Sequence, residues 1–387
     1  MSDETINGDR RRPNVLFIIC DQLRADHLGY AGNPVVRTPN IDSIAAAGTV
    51  FERAYVNNPV CMPNRSTIMT GRMPSAHGVI FNDRSLEPDV NTFVSQLRQA
   101  GWATALMGKS HLQHGESRNA VVDLGKPPGR RSPFPEGWDT IEHDERYERG
   151  DVVAPDDFYG FGEIKLTVGH GAQVGAHHYQ WAREQGIPHD VLRAGLDSRS
   201  DIPTRRPEWW QLHPAPYPEE IHSTNYVTER TIDFIERSAE ADEPWMAWCS
   251  YPDPHHPLAP PEPWFDRHDP ADMELPPTFA DPGAGWAPHL HLIRSLDPAR
   301  RAWVSPFGPR PELTRAAIAV SYGMIEYIDA GVGRILATLD RLGAIYVTII
   351  VFTSDHGDMM GDHGLMLKLL MHFQGCLRVP LIFKSPG

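Results

Sequence analysis

Cysteine is scarce in this sequence: four residues in 387, at positions 20, 61, 249 and 376. They are too few and too scattered for the disulfide framework of a small secreted domain, and none forms the CxxC pair of a structural zinc site. A reducing, cytoplasmic setting is the expectation. Basic residues are also in the minority, 36 Lys+Arg against 50 Asp+Glu for a formal charge of −14, with Arg10-Arg11-Arg12 the one basic run. Nucleic-acid binding needs a basic face that displaces counterions, so it is not expected. No apolar run approaches the roughly 20 residues of a membrane span, and the opening MSDETINGDRRRP is polar and charged. Neither a membrane segment nor a signal peptide is expected. Internal repeats and low-complexity tracts are absent as well.

What the chain does have is proline and glycine, 36 and 32 residues. Proline is well above its usual share of about 5%, which predicts long irregular loops around a regular core. Residues 1–13 read as a flexible tail, and 14–387 as one catalytic-sized α/β unit. The stretch Asn14–Cys20 is apolar throughout, as a parallel strand covered on both faces would be. Thr38-Pro39-Asn40 followed by Ile41 to Gly48 predicts a short helix with a polar start and a Gly stop, and Val50–Tyr55 predicts a strand. Val94–Ala100 reads as a helix leading into a strand at Ala103–Met107. From about Leu112 to Ile221 the pattern breaks into Pro-, Gly- and His-rich sequence, read as an irregular excursion over the core. Order returns with a helix at Thr228–Ala239, a strand at Trp245–Tyr251, a long core-facing helix at Leu313–Leu342 and a strand at Ile345–Thr353. This alternation predicts a doubly wound, mostly parallel central sheet flanked by helices.

In such sheets the ligand crevice lies beyond the C-terminal ends of the strands. Two predicted strands end there in metal-ligand residues: Asp21 after the first, and Asp355-His356 after the last. Carboxylate oxygens and an imidazole on rigid strand ends suit a divalent cation. A lone Asp after a strand is more often a turn or helix cap. Two strand ends together favour the cation.

The sequence Cys61-Met62-Pro63-Asn64-Arg65, continued by Ser66-Thr67-Ile68-Met69-Thr70-Gly71-Arg72, resembles the signature of the type I sulfatases of the alkaline phosphatase superfamily. Further matches are similar in kind: Asn14 to Gln22, Thr38-Pro39-Asn40, Gly108-Lys109-Ser110-His111-Leu112, Pro254-His255-His256-Pro257, Thr353 to Gly357 with Gly361 to Gly364 and Lys368, and Arg378-Val379-Pro380-Leu381-Ile382. The resemblance runs from about Asn14 to Gly387 and is weakest through the excursion.

This resemblance implies an alkaline phosphatase-like fold and hydrolysis of a small-molecule sulfate ester. It implies that Cys61 is converted to formylglycine by a formylglycine-generating enzyme, its aldehyde hydrate being the nucleophile. Asp21, Cys61 in its modified form, Asp355 and His356 would surround one metal ion. Arg65, one helical turn from Cys61, would hold the hydrate; Lys109 and Lys368 would neutralise the sulfate oxygens, with Asn82 a further donor. His255 would protonate the leaving alcohol, and His111 would take a proton from the second hydroxyl of the sulfated hydrate. The adjacency of His255 and His256 leaves open which of the two acts.

Two departures qualify the resemblance. Many family members carry a second Asp after the first and an Asn or Gln after the late Asp; here the pairs are Asp21-Gln22 and Asp355-His356. One carboxylate fewer and one imidazole more shifts the expected ion from Ca2+ toward Mn2+. The same pairs occur in phosphonate monoester hydrolases and choline-sulfatase-like members, whereas Lys109 and His111 favour the sulfatase side. A phosphonate or phosphodiester hydrolase on the same scaffold is the first rival reading, and a non-catalytic sulfatase-like binding protein the second. Family members usually continue into a smaller C-terminal subdomain, which the end at Lys384-Ser385-Pro386-Gly387 leads us to expect to be truncated here.

Overall fold

The computed structural model describes residues 12–114, 134–135, 137–194, 209–296, 306–369 and 371–386. Its strands are β1 (Asn14–Cys20), β2 (Thr49–Val50), β3 (Ala54–Tyr55), β4 (Ala103–Lys109), β5 (Glu163–Thr167), β6 (Trp245–Tyr251), β7 (Thr348–Ser354), β8 (Arg378–Val379) and β9 (Leu381–Lys384). Seven strands form one sheet in the order β2-β9-β7-β1-β6-β4-β5, parallel from β7 through β5, with β9 and β2 antiparallel at one edge. Helices cover both faces, as the alternation of strand and helix predicts.

Each central strand buries both faces by alternation. Leu16, Ile18 and Cys20 join Ala247, Cys249, Ile350 and Phe352 on the side of the helices Ser223–Ala241 and Pro311–Arg341. Ile19, Leu106, Leu166, Met246 and Trp248 face the other way, toward Met62, Met69 and Val94. Cys20, Cys249 and Cys376 are fully buried and unpaired, as small core side chains.

Three elements differ from expectation. The stretch at Val50–Tyr55 is two short strands separated by a turn: β2 pairs with β9 in the main sheet and β3 with β8 in a second, two-stranded sheet. Polar Glu52 and Arg53 are both exposed at the bend. The last parallel strand begins at Thr348 rather than Ile345, because Ala344–Val347 closes a turn with Val347 N–H donating to Ala344 C=O at 3.1 Å. The excursion at 112–221 is not wholly irregular, since it supplies β5 to the sheet edge and the helices Asp144–Arg149 and His177–Glu184. Its motif Lys126-Pro127-Pro128-Gly129, like most of the tail at 1–13, lies outside the described residues. Among the described residues no helix is long and apolar enough to cross a membrane.

The helix Ser223–Ala241 is capped by His222, whose Nδ1 accepts the Thr224 amide at 3.3 Å while Nε2 faces the Ala259 carbonyl at 3.2 Å. Only the neutral ring satisfies both, and a charged ring would oppose the positive end of the helix dipole. Burial pushes its pKa down to about 4, against a partial pull upward from the Ala259 carbonyl. In the unfolded chain it titrates near ~6.5, so below that pH the unfolded state binds a proton that the folded state refuses, and stability falls by about 1.4 kcal/mol per unit until the folded value is reached. His222→Asn keeps a capping oxygen without titrating. Between about pH 7 and pH 5, urea unfolding should show it losing roughly 2 kcal/mol less than the parent. Equal losses would remove His222 as a source of acid sensitivity.

Candidate active site

The register of the sheet assembles the site. Cys20 at the end of β1 pairs with Ser354 of β7 and Tyr251 of β6, so Asp21, Asp355 and the loop Pro252–Pro257 emerge at one level. Beside them Gly108 of β4 pairs with Ser250, delivering Lys109 to the same rim. Gly108 has φ of +110°, and a Cβ there would stand 1.9 Å from the Ser250 carbonyl oxygen, so no side chain fits.

Cys61 opens the helix Cys61–Thr70, which enters from below the crevice with its first six residues all buried. Pro63 costs no helical hydrogen bond within this first turn. The carboxamide oxygen of Asn82 accepts the Met62 amide at 3.1 Å, so Asn82 also secures the start of this helix. The Cys61 thiol lies 3.1 Å from His356 Nε2, 3.1 Å from Lys368 Nζ and 3.7 Å from Asp21 Oδ1. His356 donates through Nδ1 to the Gly357 carbonyl at 2.9 Å, which turns Nε2 toward the crevice. Burial would raise the Cys61 thiol pKa; the charges of Lys368, Lys109 and His356, with a hydrogen bond from His111, outweigh it and hold the thiol well below its ordinary value.

One donor atom from each of Asp21, Cys61, Asp355 and His356 falls within 4.8 Å of the others. Burial and the Cys61 charge would raise Asp21, yet Lys109, His255 and His170 hold it well below the carboxylate range, while burial and Asp21 push Asp355 up. Gln22, at a left-handed φ of 68°, donates its backbone N–H to Asp355 Oδ1 at 3.1 Å and its side-chain amide to His256 Nδ1 at 3.0 Å. Its buried Oε1 has no hydrogen-bond partner among the described residues. Two clustered carboxylates and an imidazole suit a divalent cation, and the bare amide oxygen on the residue next to Asp21 is a further buried acceptor, so this donor set fits the ion that the sequence implies.

Most of the Arg65 fork is taken by protein acceptors. Its Nε donates to Asp355 Oδ2 at 2.7 Å and its Nη1 to the Lys109 carbonyl at 2.9 Å and Ser250 Oγ at 3.0 Å. Only Nη2, 3.9 Å from Asp21 Oδ2, lacks a hydrogen-bond partner among the described residues. The fork therefore orients Asp355 and the end of β4, with one donor left for a ligand. Asp358 shapes the following loop, accepting from Met360 N at 2.6 Å and Leu367 N at 3.1 Å.

Two contributors were missed in the sequence, both from the excursion. Glu142 is buried and accepts the amides of His111, Leu112 and Gln113 at 2.8, 2.9 and 3.0 Å, bending His111 into a left-handed φ of 53°. No sequence signal marks Glu142. His170 contacts Lys109 Nζ, stands 3.4 Å from Asp21 Oδ2 and stacks on His255. Its setting between Gly169 and Gly171 was the available signal.

A sulfatase family model matches residues 13–387. An arylsulfatase of Clostridium perfringens is 32% identical over 379 residues, covering 97% of this chain and 69% of the relative. A choline-sulfatase of Rhizobium meliloti is 26% identical over 97% of this chain and 63% of its own length. Among solved structures, a phosphonate monoester hydrolase of Agrobacterium radiobacter superposes with a TM-score of 0.73 at 27% identity, covering 97% of this chain and 68% of that one. The chain thus spans 63–69% of the length of these proteins. With the family model matching all but its first residues, the chain belongs to the sulfatase family.

Proposed function

We propose that this chain hydrolyses a sulfate ester to an alcohol and sulfate at the crevice around Cys61. The observation that carries the reading is the convergence of Lys368, His356 and Asp21 on the buried Cys61 sulfur, with Asp355 in the same cluster and Lys109 paired to Asp21. Lys109 and Lys368 neutralise the sulfate oxygens, and the amide group of Asn82 adds a donor. Arg65 holds Asp355 in place and offers Nη2. His255 protonates the alcohol oxygen as its bond to sulfur breaks. Burial, with His170, Lys368 and His256 beside it, holds the His255 pKa well down. The negative charge of a bound ester is what brings a proton onto that ring.

Conversion of Cys61 to formylglycine, by a formylglycine-generating enzyme, supplies an aldehyde hydrate as the attacking group and an aldehyde to which it can revert. His111, held by Glu142, takes the proton that this reversion releases. Asp21, Asp355, His356 and the Gln22 amide oxygen would hold a divalent cation, Mn2+ or Ca2+, which neutralises the sulfate and lowers the pKa of the attacking group.

The test is a comparison of specificity constants for an aryl sulfate and an aryl phosphonate monoester, with elemental analysis of the same preparation. Higher efficiency on the sulfate and near-stoichiometric divalent metal are expected. A large preference for the phosphonate would replace this reading with the phosphonate hydrolase one, with which the superposition on such an enzyme is compatible.

A further inference from the structure

Val168-Gly169-His170-Gly171 leaves the C-terminal end of β5 and turns over the crevice. Gly169 and Gly171 both have positive φ, +89° and +59°, and a Cβ on Gly171 would lie 2.7 Å from the Pro257 carbonyl oxygen. The loop is thus wedged against the turn that carries His255 and His256. A loop histidine is ordinarily solvated, but the His170 side chain is only 20% exposed.

Its ring lies over His255 with centroids 3.6 Å apart and planes 14° from parallel, and His255 lies over His256 at 4.1 Å and 23°. Two rings cannot cover one face at these distances, so His170 and His256 hold opposite faces of His255. His256 is itself tied by Gln22 on Nδ1, and His255 Nδ1 contacts the His256 carbonyl. The His255 ring is therefore gripped on both faces and at one edge, with the remaining edge turned to the crevice.

Donor atoms of Asp21, Cys61, His170 and His255 also gather within 4.8 Å, which raises a second cation site as an alternative. The geometry opposes it. Stacked rings direct their in-plane lone pairs side by side rather than toward a common point, and the Lys109 ammonium already contacts His170 Nε2.

We propose that His170 is a positioning residue for proton delivery to the leaving group: its ring fixes the plane of His255. This rests on the proposed function and on His255 as the proton donor. An ester whose alcohol is a poor leaving group depends on that proton, whereas one that leaves readily as an anion scarcely does. Loss of His170 therefore penalises poor leaving groups selectively, which a general loss of structure would not.

The experiment measures kcat/KM of the full chain on substituted phenyl sulfates spanning a range of phenol acidity. His170→Ala should lose about 100-fold on the least acidic phenol and only about threefold on the most acidic, a steeper leaving-group dependence than the parent. His170→Phe restores a flat ring over His255 and should return the dependence to the parental slope, and it carries the test if the alanine variant melts early. Equal losses across the series, or a phenylalanine variant that melts normally yet keeps the steep slope, would overturn the proposal. A parent protein inactive on every sulfate in the series would instead remove the function on which it rests.

Discussion

Replacing Cys61 with alanine is expected to lower sulfate-ester turnover by about 10⁴-fold or more, the scale seen when a nucleophile is deleted from a cooperating constellation. The expectation follows from geometry. Cys61 is 1% exposed, and its sulfur approaches His356, Lys368 and Asp21 together. In the proposed reaction the other polar groups of the crevice bind charge or move protons, and the nucleophile is the first residue of the helix Cys61–Thr70. The proposed sulfate-binding lysines and cation ligands are unchanged in the variant, so competitive inhibition or binding by inorganic sulfate should persist while turnover disappears. That split separates loss of chemistry from loss of the site. Mass spectrometry of the tryptic peptide Ala54–Arg65 from the native host gives the companion readout. A peptide carrying an aldehyde in place of the –CH2SH group is expected; an unmodified thiol in active protein, or an alanine variant close to parental turnover, would end the formylglycine reading.

Arg65→Ala is expected to have the largest effect on stability, about 3–5 kcal/mol, because it breaks a fully buried ion pair and leaves one partner behind. Arg65 and Asp355 are each 0% exposed and 2.7 Å apart. Asp355 already lies close to the carboxylate of Asp21, whose charge, after burial, is the largest influence pushing its pKa up. Without the guanidinium the two buried acids face each other, and the Lys109 carbonyl and Ser250 hydroxyl each lose a donor. Arg65→Lys keeps a charge but cannot span three acceptors with a planar fork, so it should fall between the parent and the alanine variant. Urea unfolding checks both. An alanine variant with the parental midpoint would show that the pair contributes little beyond the cation expected beside it.

Much of this site was legible in one dimension because it sits where strands end. An apolar run stopping at Asp21, another stopping at Asp355-His356, and Cys61 with Arg65 at helical spacing are local patterns, and local patterns survive in sequence. Arg65 shows the limit of such reading: spacing brings it to the face of Cys61, but the partners that occupy most of its fork come from β4, β6 and the end of β7. The split of Val50–Tyr55 into β2 and β3 was hidden for a similar reason, since the partners that separate them, β9 and β8, lie more than 300 residues further on.

The sequence by itself determined the α/β class, the family, the strand-end carboxylates and the Cys61 motif, because each depends on residue type and short spacing. Only the tertiary structure decided how the excursion serves the site. Glu142 reaches back to bend His111, and His170 lies against His255 and Lys109, through contacts between segments that share no period or motif. Those contacts are set by sheet register and by glycines that admit a close backbone, quantities that exist only once the chain has folded.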